Sequence, residues 1–367
     1  MSEIFKNVLE IDLNSDSNLL PNDSLDIVER TQKIKIFSTS IISVIGLIGH
    51  FLTVLVFSQK RFRKNSGNVV SLCLALTDGL FLILNFFADI LIKIQEIYLN
   101  DSTEKPSSLE ITFQFFNLTD KNDISCSLMI YMKYVLRFVS AYSLMVFSLQ
   151  RFLIVHYPFK HYFKSKKSSF KTITAVVIIA LVLNVWTLPV FKISSEDLNG
   201  HCGVNSDWQM FFNFFNGIYI FSIIFIPILT ITICNTLIII KIAKEESKKN
   251  VKFKINQVCY LNETTSITRI QVSSCENISK KITIRLIIIS FSYAFLNLPY
   301  MVVWFISVNT IPSTSYNMEI NMYAAAEISE IFCVLNYSIH FYLCLFGSLF
   351  RNQVKNLRSN EKNPKNL

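Results

Sequence analysis

The chain has 367 residues, of which 51% are hydrophobic and 13% aromatic, with a mean hydropathy of +0.41 and a formal net charge of +9. Its apolar residues come in long blocks rather than amphipathic stripes, which excludes a soluble globule and indicates an integral membrane protein. The Lys and Arg excess falls between those blocks and the aromatics fall inside them, a pattern of membrane-flanking loops that implies no nucleic-acid partner.

Residues 1 to about 35 are polar and acid-rich, include the acceptor pattern Asn22-Asp23-Ser24, and read as a flexible tail open to glycosylation. The first apolar run begins near Ile34 with no cleavable leader before it, so the first span itself is expected to direct insertion. Seven apolar segments follow, at about 36–58, 69–93, 124–157, 170–192, 210–242, 281–308 and 322–346, each long enough to cross a ~30 Å hydrocarbon core as a helix. The links after the first, third and fifth are basic, with Lys60, Arg61, Lys164 and Lys248 among them, while the opposite ones carry Asp101, Glu104, Glu196 and Asp207. This asymmetry puts the N-terminus outside, leaves Asn100 and Asn117 open to glycosylation in a long outer loop, and makes the patterns at Asn262 and Asn277 silent inside. A tail of about twenty residues, opening with Phe346-Gly347-Ser348-Leu349-Phe350-Arg351, reads as a short amphipathic helix on the inner leaflet.

The third segment carries a polar seam. Lys133, Arg137 and Ser140 recur at intervals of four and three, close to one face of a helix with ~3.6 residues per turn. Cys126 and Arg151 lie about 37 Å apart at ~1.5 Å per residue, one near each membrane surface. Arg151 cannot shed its proton there, so it either snorkels to the interface or meets a partner. In the second segment Asp78 is a mid-span carboxylate, costly when ionised alone and for that reason a marker of function. The eight Cys show no CxxC or Cys/His ligand spacing, so no metal or redox centre is indicated. Cys73, Cys234, Cys333 and Cys344 lie in apolar spans, where a thiol is a small packed hydrophobe.

Over residues 36–355 the chain resembles the rhodopsin-like (class A) G-protein-coupled receptors. The likeness rests on Leu74-Ala75-Leu76-Thr77-Asp78, on Cys126 and Arg151 at the family's separation, and on Phe152 with His156-Tyr157-Pro158-Phe159-Lys160 after them. It rests too on Pro189, Pro227 and Pro299 in the fourth, fifth and sixth spans and on Phe350-Arg351 at the start of an eighth helix. The departures are as specific. Gln150 precedes Arg151 where an acid is usual, Asn297-Leu298-Pro299 replaces Trp-x-Pro, Asn235 replaces a Tyr, and the seventh span reads Asn336-Tyr337-Ser338-Ile339-His340-Phe341-Tyr342-Leu343-Cys344 in place of an Asn-Pro-x-x-Tyr ending. The two Asn and the Phe341 resemble the FMRFamide-like branch of invertebrate neuropeptide receptors.

That resemblance implies an all-α membrane protein of the plasma membrane. It has a seven-transmembrane helix bundle at 36–346, an extracellular tail at 1–35, and a short cytoplasmic amphipathic eighth helix and tail at 347–367. It implies a disulfide between Cys126 and Cys202, a ligand cavity lined by Asp89, Lys133, Arg137, Tyr219, Tyr300, Trp304, Glu327 and Glu330, and a G-protein-coupling switch of Gln150, Arg151, Phe152, Asn235, Asn297 and Pro299. Lys133 stands where amine receptors carry an Asp and Val334 where opsins carry the retinal Lys, which disfavours amines and retinal. The cavity charges also have a plainer reading as mutually neutralising pairs, Lys133 or Arg137 with Asp89 or Glu330. Ser279, like Gln150, stands where relatives place an acidic partner of Arg151, so ligand-free signalling is expected.

Around Asp78 the resemblance gathers Ser140, Asn336 and two histidines, His50 and His340, at positions where relatives usually have Asn. A carboxylate raises a neighbouring imidazole's affinity for a proton. The expectation is therefore that sodium, which often joins this Asp in relatives, regulates poorly here and that mild acid, or zinc held by both imidazoles and the carboxylate, replaces it. The alternative is two ordinary packed histidines. The function implied is reception of an extracellular ligand, a neuropeptide, and activation of a heterotrimeric G protein, with lipid around the bundle and no cofactor. No metal cluster, nucleophile elbow or phosphate loop points to an enzyme. The rival is a seven-helix ion channel or proton-coupled transporter using Asp78, His50 and His340, though no inverted repeat or broken-helix pair is visible in the sequence.

Overall fold

The computed structural model describes residues 22–58, 66–87, 122–157, 165–193, 202–259, 288–289, 291–307 and 316–345. Five helical stretches there are long and apolar enough to cross a membrane: Ile27–Phe57, Asn68–Asn85, Asp123–His156, Lys166–Val190 and Gln209–Lys244. Phe291–Ser307 is a shorter apolar helix, and Tyr316–Leu345 runs for 30 residues. These are the first to seventh spans of an all-α bundle, the class the sequence implies. Large apolar side chains such as Phe51, Val182, Phe214 and Phe291 are exposed on outward faces, as lipid-facing surfaces require. Asp89, Asn100, Asn117 and the eighth helix lie outside the described residues.

The first helix starts at Asn22 and ends at Phe57, so the tail expected to stay flexible as far as residue 35 is helical from Asn22 onward. Its polar residues have local and tertiary uses that hydropathy does not register. Lys33 pairs with Glu29 one turn back at 2.6 Å, and Thr31 Oγ1 donates to the Ile27 carbonyl at 2.7 Å. Gln32 Nε2 donates to Tyr323 Oη at 2.8 Å, and Lys35 reaches Glu327 and Glu330. These bonds open a seam between the first and seventh spans, the most extensive helix pairing among the described residues. Further along it, Ser338 Oγ donates to the Ile42 carbonyl at 3.0 Å, Tyr342 Oη to the Ile45 carbonyl at 3.0 Å, and His50 Nε2 meets the Tyr337 carbonyl at 2.8 Å. Gly46 permits the closest approach, because a Cβ there would lie 2.5 Å from Ser338 Oγ and 2.7 Å from Leu82 Cδ1.

The fifth span is interrupted where sequence periodicity gives no warning. Gln209–Ile220 is α-helical, Phe221–Phe225 is a π turn, and Ile226–Cys259 resumes the α-helix. Pro227 supplies no N–H to the carbonyl four residues back, that of Ile223. That carbonyl is instead taken by Tyr293 Oη of the sixth span at 2.5 Å. Tyr142 Oη of the third span lies 3.1 Å from Ser222 Oγ in the same turn. Tyr293→Phe strands the Ile223 carbonyl in the core and is expected to cost roughly 1–3 kcal/mol, read as a lower unfolding temperature of the purified protein. An unchanged temperature would mean that the π turn satisfies itself.

The third span is the axle. Asn122 caps its start by accepting from Ser125 N at 2.8 Å, and Lys241 of the fifth span donates to the His156 carbonyl at its end, 3.3 Å away. Val135, Phe138, Val139, Ala141 and Leu144 pack against Ile220, Ile223, Ile224, Ile289, Tyr293 and Tyr300 in one core cluster.

Candidate functional site

At the Cys126 end of the bundle, β1 (Phe191–Ile193) and β2 (Cys202–Val204) form an antiparallel hairpin with Phe191 opposite Val204 and Ile193 opposite Cys202. Cys126 and Cys202 are joined by a disulfide with Cα atoms 5.6 Å apart across 76 residues of chain. Two hydrogen bonds reinforce the tether: Ser127 Oγ donates to the Phe191 carbonyl at 2.6 Å, and Ile193 N donates to Asp123 Oδ1 at 3.0 Å. Phe212 packs edge-on against Phe191 of the hairpin and tilted against Trp186. Cys202→Ser is expected to cost about 2–4 kcal/mol through the loop it releases, measured by thermal unfolding. Wild-type unfolding would show that the hydrogen bonds and aromatic packing suffice.

Deeper in the bundle, Asp78 has no exposed surface. Ser140 Oγ donates to its Oδ1 at 2.5 Å and His340 Nδ1 meets its Oδ2 at 2.7 Å, so one residue from the third span and one from the seventh occupy both oxygens. The other two residues placed around Asp78 by sequence are not bonded to it. His50 spends Nε2 on the Tyr337 carbonyl, and the Asn336 side-chain atoms are buried without a partner. His340 lies one turn past Asn336 on the same helix and reaches Asp78, while the Tyr337 carbonyl holds His50. Among the described residues no group of three His, Cys, Asp or Glu could hold a metal ion, which corrects the expectation of zinc bound by both imidazoles and the carboxylate. His50 and His340 instead line one small cavity with Thr53, Ser71, Leu144 and Ile289.

The expected ligand set divides in two. Arg137 lies among Tyr219, Tyr300, Tyr337 and Cys333, and its guanidinium carbon is 5.0 Å from the centre of the Phe81 ring. Tyr219 Oη donates to the Tyr134 carbonyl at 2.9 Å. The Trp304 indole lies over Gly217 so closely that a Cβ there would be 2.7 Å from Cη2. Glu327 and Glu330 belong elsewhere: Lys35 Nζ stands 2.5 Å from Glu327 Oε2, an ion pair off the hydrogen-bond axis, and hydrogen-bonds Glu330 Oε2. The plainer reading paired Glu330 with Lys133 or Arg137; its hydrogen bond goes instead to Lys35, and Arg137 acts on it through charge. The Lys35 stem reaches across the first–seventh seam to both carboxylates, which are three residues apart on one helical face. Lys35 was the residue missed by sequence reasoning, and its only signal was a cation between Ile34 and Ile36 at the mouth of an apolar run.

At the other end of the third span the Arg151 guanidinium carbon lies 5.3 Å from the Phe147 ring centre, and Phe152 stacks on His156 at 4.2 Å. Gln150 turns away, its Nε2 donating to Ser169 Oγ of the fourth span at 3.1 Å. In the sixth span Asn297, two residues before Pro299, donates Nδ2 to the Tyr293 carbonyl at 2.8 Å and its Oδ1 faces Cys333 Sγ at 3.6 Å. Asn235 is buried in the fifth span.

A bundle of seven apolar helices with a disulfide-tethered hairpin over one end and a buried carboxylate at its centre is a multi-pass membrane protein of the receptor type. The family model for the 7 transmembrane receptor (rhodopsin family) matches residues 106–340, more than half of the chain, and the chain belongs to that family. No curated protein matches it significantly.

Proposed function

We propose that this protein is a plasma-membrane receptor whose N-terminus is extracellular, that it binds an extracellular neuropeptide beneath the hairpin, and that binding opens the Arg151 end to a heterotrimeric G protein. The observation that carries the reading is a polar cluster of Arg137, Tyr219 and Tyr300, drawn from the third, fifth and sixth spans, in a chain of the rhodopsin family. The likeness of Asn235, Asn297 and Phe341 to the FMRFamide-like branch supports a peptide over an amine. Gln150, Arg151, Phe152, Asn235, Asn297 and Pro299 are the proposed coupling switch, and Asn22, Asn100 and Asn117 the proposed glycosylation sites. Peptide-evoked GTP exchange on reconstituted G protein is the test. A peptide-evoked current without G protein would replace the receptor by a channel.

The switch carries its own expected result. Gln150→Asp gives up the Ser169 hydrogen bond and sets a carboxylate beside Arg151, favouring the closed bundle. A bias of one or two kcal/mol moves a two-state population by about ten-fold. Ligand-free GTP exchange should fall accordingly in Gln150→Asp and not in Gln150→Ala, which loses the same bond without adding charge. Equal baselines in all three would remove the idea.

A further inference from the structure

Arg137 is the most demanding cation in the bundle. A guanidinium keeps its charge and presents five N–H donors. Removing it from water costs several kcal/mol that only charge and hydrogen bonds recover. Its Nε is enclosed without an acceptor. Around it stand the phenols of Tyr219, Tyr300 and Tyr337, the thiol of Cys333 and the face of Phe81, while Glu330 acts on it through its charge without bonding it. The two carboxylates whose charges would balance the pair of buried cations, Glu327 and Glu330, both close on Lys35. Among the described residues no carboxylate bonds Arg137, and a planar pair of anionic oxygens is the group that a guanidinium fork matches best.

From this arrangement we infer that Arg137 is the seat of a carboxylate carried by the ligand, so that the receptor selects acidic ligands. The inference rests on the receptor reading and narrows it. The carboxylate is either a free C-terminus or an Asp or Glu side chain; both give the same two oxygens.

The test uses the full-length receptor in cells and a library of short acidic peptides, each made in three forms: free acid, C-terminal amide, and amide with Asp and Glu replaced by Asn and Gln. In wild type the active peptides should lose about a hundredfold in potency when their acid is neutralised, and the form at which potency falls shows whether a C-terminus or a side chain supplies it. In Arg137→Gln the three forms should become equipotent. Arg137→Lys, which keeps the charge but not the fork, should retain part of the preference, provided each variant reaches the surface. Active peptides indifferent to neutralisation, or an acid preference that survives in Arg137→Gln, would overturn the inference and leave the receptor reading intact. If no peptide signals in any form, the peptide reading fails and the acid site is judged on the purified protein. There, millimolar benzoate must raise the unfolding temperature above that with benzamide in wild type but not in Arg137→Gln, and equal shifts refute it.

Discussion

Lys35→Met should be among the most damaging single substitutions in the bundle. It removes the cation that closes on both Glu327, which has no exposed surface, and Glu330, which is 20% exposed, and leaves two carboxylates side by side. Breaking a buried ion pair by deleting one partner costs about 3–5 kcal/mol, because the remaining charge is neither solvated nor paired. The loss should appear as a sharply lower unfolding temperature and reduced surface expression. The same principle gives the control. Lys35→Met combined with Glu327→Gln and Glu330→Gln removes every charge of the group and should recover most of the loss, since a neutral set no longer carries the desolvation penalty. If the single and triple variants unfold alike, the cost lies in lost packing of the lysine stem and not in its charge.

The helical architecture was legible because a membrane span is specified by length and apolarity alone. The third helix, Asp123–His156, lies within a residue of the expected 124–157, and Asn122 at its start supplies the cap. The start of the first helix was not legible, for a physical reason. Glu29, Thr31, Gln32, Lys33 and Lys35 look like solvated tail because hydropathy weighs each residue against water, while two of them are satisfied by Tyr323, Glu327 and Glu330 nearly 300 positions away. The same limit hid the π turn at Phe221–Phe225, whose stabilising hydroxyl comes from Tyr293. Around Asp78, residue type and spacing named the right neighbourhood. They did not distinguish His340, which touches the carboxylate, from His50, which a backbone carbonyl draws off. Site chemistry follows from which partner each polar atom finds first, and that is a property of helix packing.

Sodium should leave this receptor unmoved, and His340→Asn should make it responsive. A sodium ion beside a buried carboxylate needs a free anionic oxygen and several further oxygen ligands. Here Oδ1 accepts from Ser140 and Oδ2 is held by His340 at 2.7 Å, so the ion would have to displace an imidazole before it bound. The imidazole contributes nitrogens, a poor exchange for a hard cation. An asparagine in its place offers an amide oxygen, the group that relatives usually present there, and is smaller. Agonist affinity and unfolding temperature, each compared in sodium chloride and choline chloride, provide two independent readouts. Wild type should show no difference between the salts. In His340→Asn the salts should separate, and coupling of the usual 1–3 kcal/mol corresponds to about 5–150-fold in affinity. His50→Asn should leave sodium ineffective, because His50 bonds the Tyr337 carbonyl and not Asp78. A wild-type receptor that sodium strongly regulates would show that the His340–Asp78 contact opens readily, and an unresponsive His340→Asn would show that the imidazole is not what excludes the ion.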